Sequence, residues 1–100
     1  MPRYICHHEG MFFEWSTVVD APVTYGMNRE AFETYYAEEY GRSRMHELPE
    51  RMERAERTGT SCMLGYDSLE SLMAFNRAGP KGGCAKFSTL IRKLKAGQGL

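Results

Sequence analysis

A glycine-rich loop that opens onto a basic helix is a ready cradle for an anion, and residues 78–95 have that form. Gly79, Gly82 and Gly83 let the backbone turn its N–H groups toward a ligand, and the helix that follows supplies its positive end. Lys81, Lys86, Arg92 and Lys93 add charge. Lys81, Gly82, Gly83, Lys86, Arg92 and Lys93 therefore form a candidate site for a phosphorylated ligand, either a nucleotide or nucleic acid. Nucleotide hydrolysis is excluded. A P-loop would need glycine where Cys84 stands and lysine where Ala85 stands, and no Asp or Glu follows to hold a metal. The plainer expectation is that these glycines join two helices and the lysines face water.

Cys84 falls where that last helix is expected to begin, between Lys81 and Lys86, and a thiol so placed would gain thiolate character. A cysteine-dependent enzyme also needs a base and an oxyanion stabiliser. Nothing in the sequence brings His7, His8 or His46 to Cys84, so a non-enzymatic role is preferred. Cys6 and His8 would share one face of a strand, with Cys62 and Cys84 as further ligands of a metal. No spacing among them matches a zinc motif, and no metal or cofactor is expected. Glu30 with Glu33, and Glu38 with Glu39, suggest acid–base work, but they sit in charge-rich helical stretches where a solvated face explains them.

A third group suits contact with a protein. Tyr, Arg and Met are favoured in interfaces, and they recur from Tyr25 and Met27 into the loop after the first helix. Tyr35, Tyr36, Tyr40, Arg42, Arg44 and Met45 are the candidate interface. The competing expectation is a stripe, Phe32, Tyr35, Tyr36 and Tyr40, packed on the protein's own sheet.

The elements that must position these groups follow from local pattern. Arg3–His8 reads as a strand, with Tyr4, Cys6 and His8 on one face and Arg3, Ile5 and His7 on the other. Glu9 and Gly10 form a tight turn, and residues 11–19, rich in aromatic and β-branched side chains, complete a half-buried hairpin. Asp20, Ala21 and Pro22 are expected to end it, because proline lacks a ladder donor. Asn28 caps a first helix that stops at Gly41. Residues 48–57 make a second, charge-rich surface helix that buries Leu48, Met52 and Ala55 before Gly59. Residues 60–65 read as a third strand. Asp67 and Glu70 form a capping box for a helix running to about Arg77, with Leu69, Leu72 and Met73 inward and Phe75 a further candidate. Gly79 and Pro80 end that helix. The last helix, residues 85–95, carries Phe87, Leu90, Ile91 and Leu94 as an apolar stripe and is capped by Gly97, with residues 98–100 frayed.

The expected fold is a single α+β domain over residues 1–100, a small three-stranded antiparallel sheet packed by three to four helices in the order ββααβαα. One hundred residues support one core but no deep enclosed site. No apolar run approaches the roughly 20 residues of a membrane span, and the opening residues lack the apolar stretch of a secretory signal, so a cytoplasmic protein with free thiols is expected. The net charge is zero, which fits neither a general nucleic-acid binder nor an acidic mimic of DNA, but it is divided: residues 71–100 carry +6 and residues 1–70 carry −6. Opposed patches of that kind also allow a head-to-tail or two-fold homodimer. A short chain without a catalytic constellation is expected to act by covering a partner protein's surface. Inhibitors and adaptors among the accessory proteins of phages and mobile elements are built this way.

Overall fold

In the computed structural model, which describes residues 3–62, 68–74, 76, 77, 79 and 83–96 (Phe87 by its backbone alone), the chain opens with the expected hairpin. Strand β1 (Arg3–His8) pairs antiparallel with β2 (Met11–Ser16), from Arg3 opposite Ser16 to His8 opposite Met11. The two-residue turn between them has positive φ at both Glu9 (49°) and Gly10 (79°), the handedness that matches strand twist.

The third strand is not where the sequence pattern puts it. β3 is Ala21–Pro22, which pairs with the end of β2 and leaves β2 in the middle of the order β1-β2-β3. Pro22 is tolerated because the ladder donor is its neighbour: Val23 N–H bonds to Glu14 O at 2.8 Å. In an antiparallel ladder alternate residues face outward, so the missing N–H of Pro22 falls on the outer edge. The segment then stays on β2, with Met27 and Phe12 exchanging backbone bonds of 2.7 and 2.8 Å. Gly26 between them is required by close approach, since a Cβ there would run into the Met11 thioether. Of the strand expected at residues 60–65, Thr60 makes a single bridge to Cys6, and residues 63–65 lie outside the described residues. The other edge of β1 is nonetheless covered, by His7 N–H to Gly59 O (2.9 Å) and Ser61 N–H to Ile5 O (2.8 Å).

Helix α1 (Arg29–Tyr40) begins where Asn28 Oδ1 accepts from Ala31 N–H at 2.8 Å and ends at Gly41, φ 84°. A 3₁₀ segment (Arg42–Glu47) leads into α2 (Leu48–Thr58), closed by Gly59 in the left-handed region. Helix α3 (Leu69–Ala74) is capped by Ser68, whose Oγ accepts from Ser71 N–H at 3.1 Å; Asp67 of the expected capping box lies outside the described residues. Helix α4 spans Phe87–Ala96. Pro80 and Gly97, proposed helix stops, and Phe75 also lie outside the described residues.

The sheet is buried on both faces, so all six residues of β2 are buried and the hairpin is not half-exposed as its alternation suggested. Cys6, Phe13 and Trp15 pack against Leu69, Leu72 and Met73 of α3 and Leu90, Ile91 and Leu94 of α4. Ile5 and Phe12 point the other way, onto Phe32 and Tyr36 of α1 and Leu48, Met52 and Ala55 of α2. The result is an α+β fold: a three-stranded antiparallel sheet between two helical layers. No helix among the described residues is long and apolar enough to cross a membrane.

Candidate functional site

On the α1 side of β2 the alternation that buries Phe12 also buries Glu14, whose side chain is 1% exposed. A carboxylate taken from water must find donors, and four side chains meet there. Tyr35 Oη donates to Glu14 Oε1 at 2.7 Å, and Tyr40 Oη lies 2.7 and 2.6 Å from the two carboxylate oxygens. Arg3 Nη1 reaches Glu14 Oε1 at 3.2 Å and Tyr40 Oη at 3.1 Å. The backbone of Glu14 is held as well, its N–H donating to Thr24 Oγ1 at 3.0 Å. Both carboxylate oxygens of Glu14 and both tyrosine hydroxyls are engaged, so the first effect of this knot is to lock α1 to the sheet.

Burial, and then the bond to Glu14, push the Tyr35 hydroxyl well above the usual phenol range and raise that of Tyr40 as well, against the opposing pull of Arg3. An unfolded phenol ionises near ~10, whereas the folded protein holds these protons to higher pH. The stability they contribute is therefore complete below pH ~10 and is lost as pH rises beyond it. Tyrosinate absorbance at 295 nm should contain a delayed component that appears together with loss of helical circular dichroism. The Tyr35→Phe, Tyr40→Phe double variant should lack that component; its persistence would mean other tyrosines produce it.

The candidate interface is mostly drawn inward. Tyr36 has 0% exposure and belongs to the core, so it is not available to a partner. Neighbours on a helix differ by about 100°, so Tyr35 and Tyr36 cannot face the same way: Tyr35 is half-buried, while Tyr36 packs with Leu48, Met52 and Ala55 of α2. Its hydroxyl meets Glu47 Oε1 at 3.3 Å and accepts from Arg51 Nη1 at 2.9 Å. Tyr35 and Tyr40 are half-buried on Glu14, and Met45 packs against the same core. Arg44 binds Glu47 at 2.9 Å and lies 5.8 Å from the Tyr40 ring centre; this bond holds the Glu47 carboxyl below the usual range. Arg42 alone of the six is exposed.

The exposed apolar surface lies earlier in the chain. The large apolar side chains exposed among the described residues are Val18 (72%), Val19 (52%), Val23 (38%) and Tyr25 (45%). Val18 and Val19 form the tip between β2 and β3, where Ser16 Oγ accepts from both their N–H groups at 3.2 and 3.4 Å. Val23 and Tyr25, with Met27, Ala31 and Tyr35, line an open groove of about 710 Å³ between the sheet-edge segment and α1. Its charged lining is Glu30 and Glu38, with no Lys or Arg. Only the composition of residues 18–25 (Val, Val, Val, Tyr) hinted at this surface in the sequence.

Of the anion candidates, Lys81 and Gly82 lie outside the described residues, while Gly83, Lys86, Arg92 and Lys93 are exposed. The loop is organised by a residue the sequence reading passed over. Asn76, buried, donates to Met73 O (2.6 Å) and Ala85 O (2.9 Å) and accepts from Ala85 N–H (2.8 Å). This clasp holds Ala85 outside the helix, so α4 starts two residues later than expected and Cys84 is not at its N-terminus. The Cys84 thiol faces the carbonyl oxygens of Ala74 and Ala85, each at 3.5 Å, and no histidine or carboxylate is among its hydrogen-bond partners in the described residues. Cys6 is enclosed in the core, and burial pushes its thiol far above the usual range. Among the described residues no three of His, Cys, Asp and Glu gather as a metal site.

No family model, curated protein or solved structure matches the chain.

Proposed function

We propose that the chain is a non-catalytic protein-binding module that acts as an inhibitor or adaptor by covering a partner's surface. The contact surface in this reading is the β2–β3 tip and the adjoining groove, rather than the Tyr36 to Met45 run. One observation carries it: the four large exposed apolar side chains among the described residues fall within residues 18–25, and two of them, Val23 and Tyr25, line a groove whose only charges are acidic. Exposed apolar side chains gathered beside a groove, rather than scattered, mark a contact surface. The acidic lining selects the occupant, an apolar segment of a partner flanked by Lys or Arg.

The test compares the native protein with a Val23→Glu, Tyr25→Ala double variant, each immobilised and exposed to cell lysate with and without nuclease. Capture should survive nuclease and fall at least about tenfold in the double variant, a loss of about 1.4 kcal/mol. The melting temperature should move by only a few degrees, roughly the 0.5 kcal/mol of a surface change. Capture that disappears with nuclease, or that ignores both substitutions, would defeat the proposal.

A further inference from the structure

We propose that the pocket between the start of β1 and α2 is a binding site for a single phosphate group, either free phosphate or the phosphomonoester of a small metabolite. The pocket has a volume of about 360 Å³ and is lined by four arginines, Arg3, Arg44, Arg51 and Arg54, against two acids, Glu47 and Glu50. That volume is within the range of small-ligand sites.

Partner accounting singles out Arg51. Arg3 is paired with Glu14, Arg44 with Glu47 and Arg54 with Glu50, at 3.2, 2.9 and 3.2 Å. Among the described residues Arg51 makes no ion pair. Its guanidinium is aimed by neutral acceptors only: Tyr36 Oη (2.9 Å), Arg3 O (3.1 Å) and Ser61 Oγ (3.4 Å). A guanidinium has five N–H donors in a rigid fork, so Arg51 keeps donors in reserve. Its orientation comes from the buried Tyr36 and from the strand edge, not from a flexible carboxylate. A positive charge aimed by neutral acceptors, with Glu47 acting on it only from beyond ion-pair distance and three other arginines beside it, is suited to an anion.

Charge and shape then choose the ligand. Four arginines against Glu47, Glu50 and the Glu14 that pairs with Arg3 leave the pocket net positive, the sign that a phosphate group requires. A tetrahedral dianion can also accept from several forks at once, whereas a planar carboxylate is satisfied by one. An extended polyanion fits poorly, because Glu50, Glu53 and Glu56 alternate with Arg51, Arg54 and Arg57 along α2 and leave no continuous positive track. The site is independent of the glycine-rich loop and of the apolar groove.

The experiment is calorimetric titration of the whole protein at fixed ionic strength with inorganic phosphate, glycerol phosphate, chloride as control and a single-stranded oligonucleotide. Phosphate or glycerol phosphate should bind with millimolar or tighter affinity, and Arg51→Lys should weaken binding about tenfold, the loss expected for a charged hydrogen-bonded fork. Because Arg51 also supports Tyr36, Arg44→Gln serves as the second variant; it gives up only the part-exposed contacts to Glu47 and the Tyr40 ring, so it should weaken binding severalfold while the melting temperature moves by only a few degrees. Arg57→Gln, outside the pocket, should bind as the native protein does. Preference for glycerol phosphate over inorganic phosphate would assign a metabolite, and the reverse would assign the free ion. No binding of either at about 10 mM, which corresponds to about 2.7 kcal/mol, binding indifferent to both pocket variants, or tighter binding of the oligonucleotide would overturn the proposal.

Discussion

Glu14→Ala should destabilise the protein by about 3–5 kcal/mol, the loss associated with removing one member of a buried charged network. For a chain of this size that is a fall in melting temperature on the order of 20 °C. The side chain is 1% exposed and is met by Tyr35, Tyr40 and Arg3, so alanine would strand two buried-side hydroxyls and a guanidinium around a void. Glu14→Gln should lose less, about 1–3 kcal/mol, because the amide oxygen still accepts while its NH₂ faces other donors. The more searching variant replaces the knot as a unit. Glu14→Met with Tyr35→Phe and Tyr40→Phe should recover much of the loss, since no buried polar group is left unpaired and Arg3 is exposed enough to turn to water. Urea and thermal melts followed by circular dichroism supply the measurement. A Glu14→Ala loss no larger than that of Glu53→Ala, on the exposed face of α2, would show that the knot contributes nothing to stability.

Tyr36→Ala should cost a similar amount, about 3–5 kcal/mol, as a large aromatic removed from a closed core. Against a total stability of roughly 5–15 kcal/mol, either substitution takes a large share. Tyr36 has no exposed surface and joins Ile5, Phe12 and Phe32 between the sheet and the two helices. Tyr36→Phe separates volume from polarity. It keeps the packing and removes only the hydroxyl between Glu47 and Arg51, at a cost near ~1 kcal/mol. A Tyr36→Ala protein that melted within a degree or two of native would place this residue at the surface and contradict the packing described above.

These two residues show how far local pattern reaches. The hairpin and its turn were readable because alternation and the Glu9-Gly10 pair act over a few residues, although the second strand, expected to reach Val19, stops at Ser16. The Asn28 cap, the Gly41 and Gly59 stops, the inward residues of α2 and, on α4, Leu90, Ile91 and Leu94 were readable for the same reason; the side chain of Phe87 lies outside the described residues. The strand at Pro22 was not, because proline's effect depends on which side of the ladder its nitrogen faces. The start of α4 was missed because Asn76, a residue eight positions before Cys84, holds the loop.

The sequence by itself determined the class of fold and the charge division, +6 in the last 30 residues against −6 in the rest, since both follow from composition and local period. Tertiary structure alone decided that the sheet is covered on both faces. That one fact makes Glu14 a buried hub and puts Tyr36, a candidate interface residue by its type and place in the chain, into the core. It also gathers four arginines from residues 3, 44, 51 and 54 into one pocket. Burial and charge convergence depend on which distant segments meet, and spacing along the chain does not carry that information.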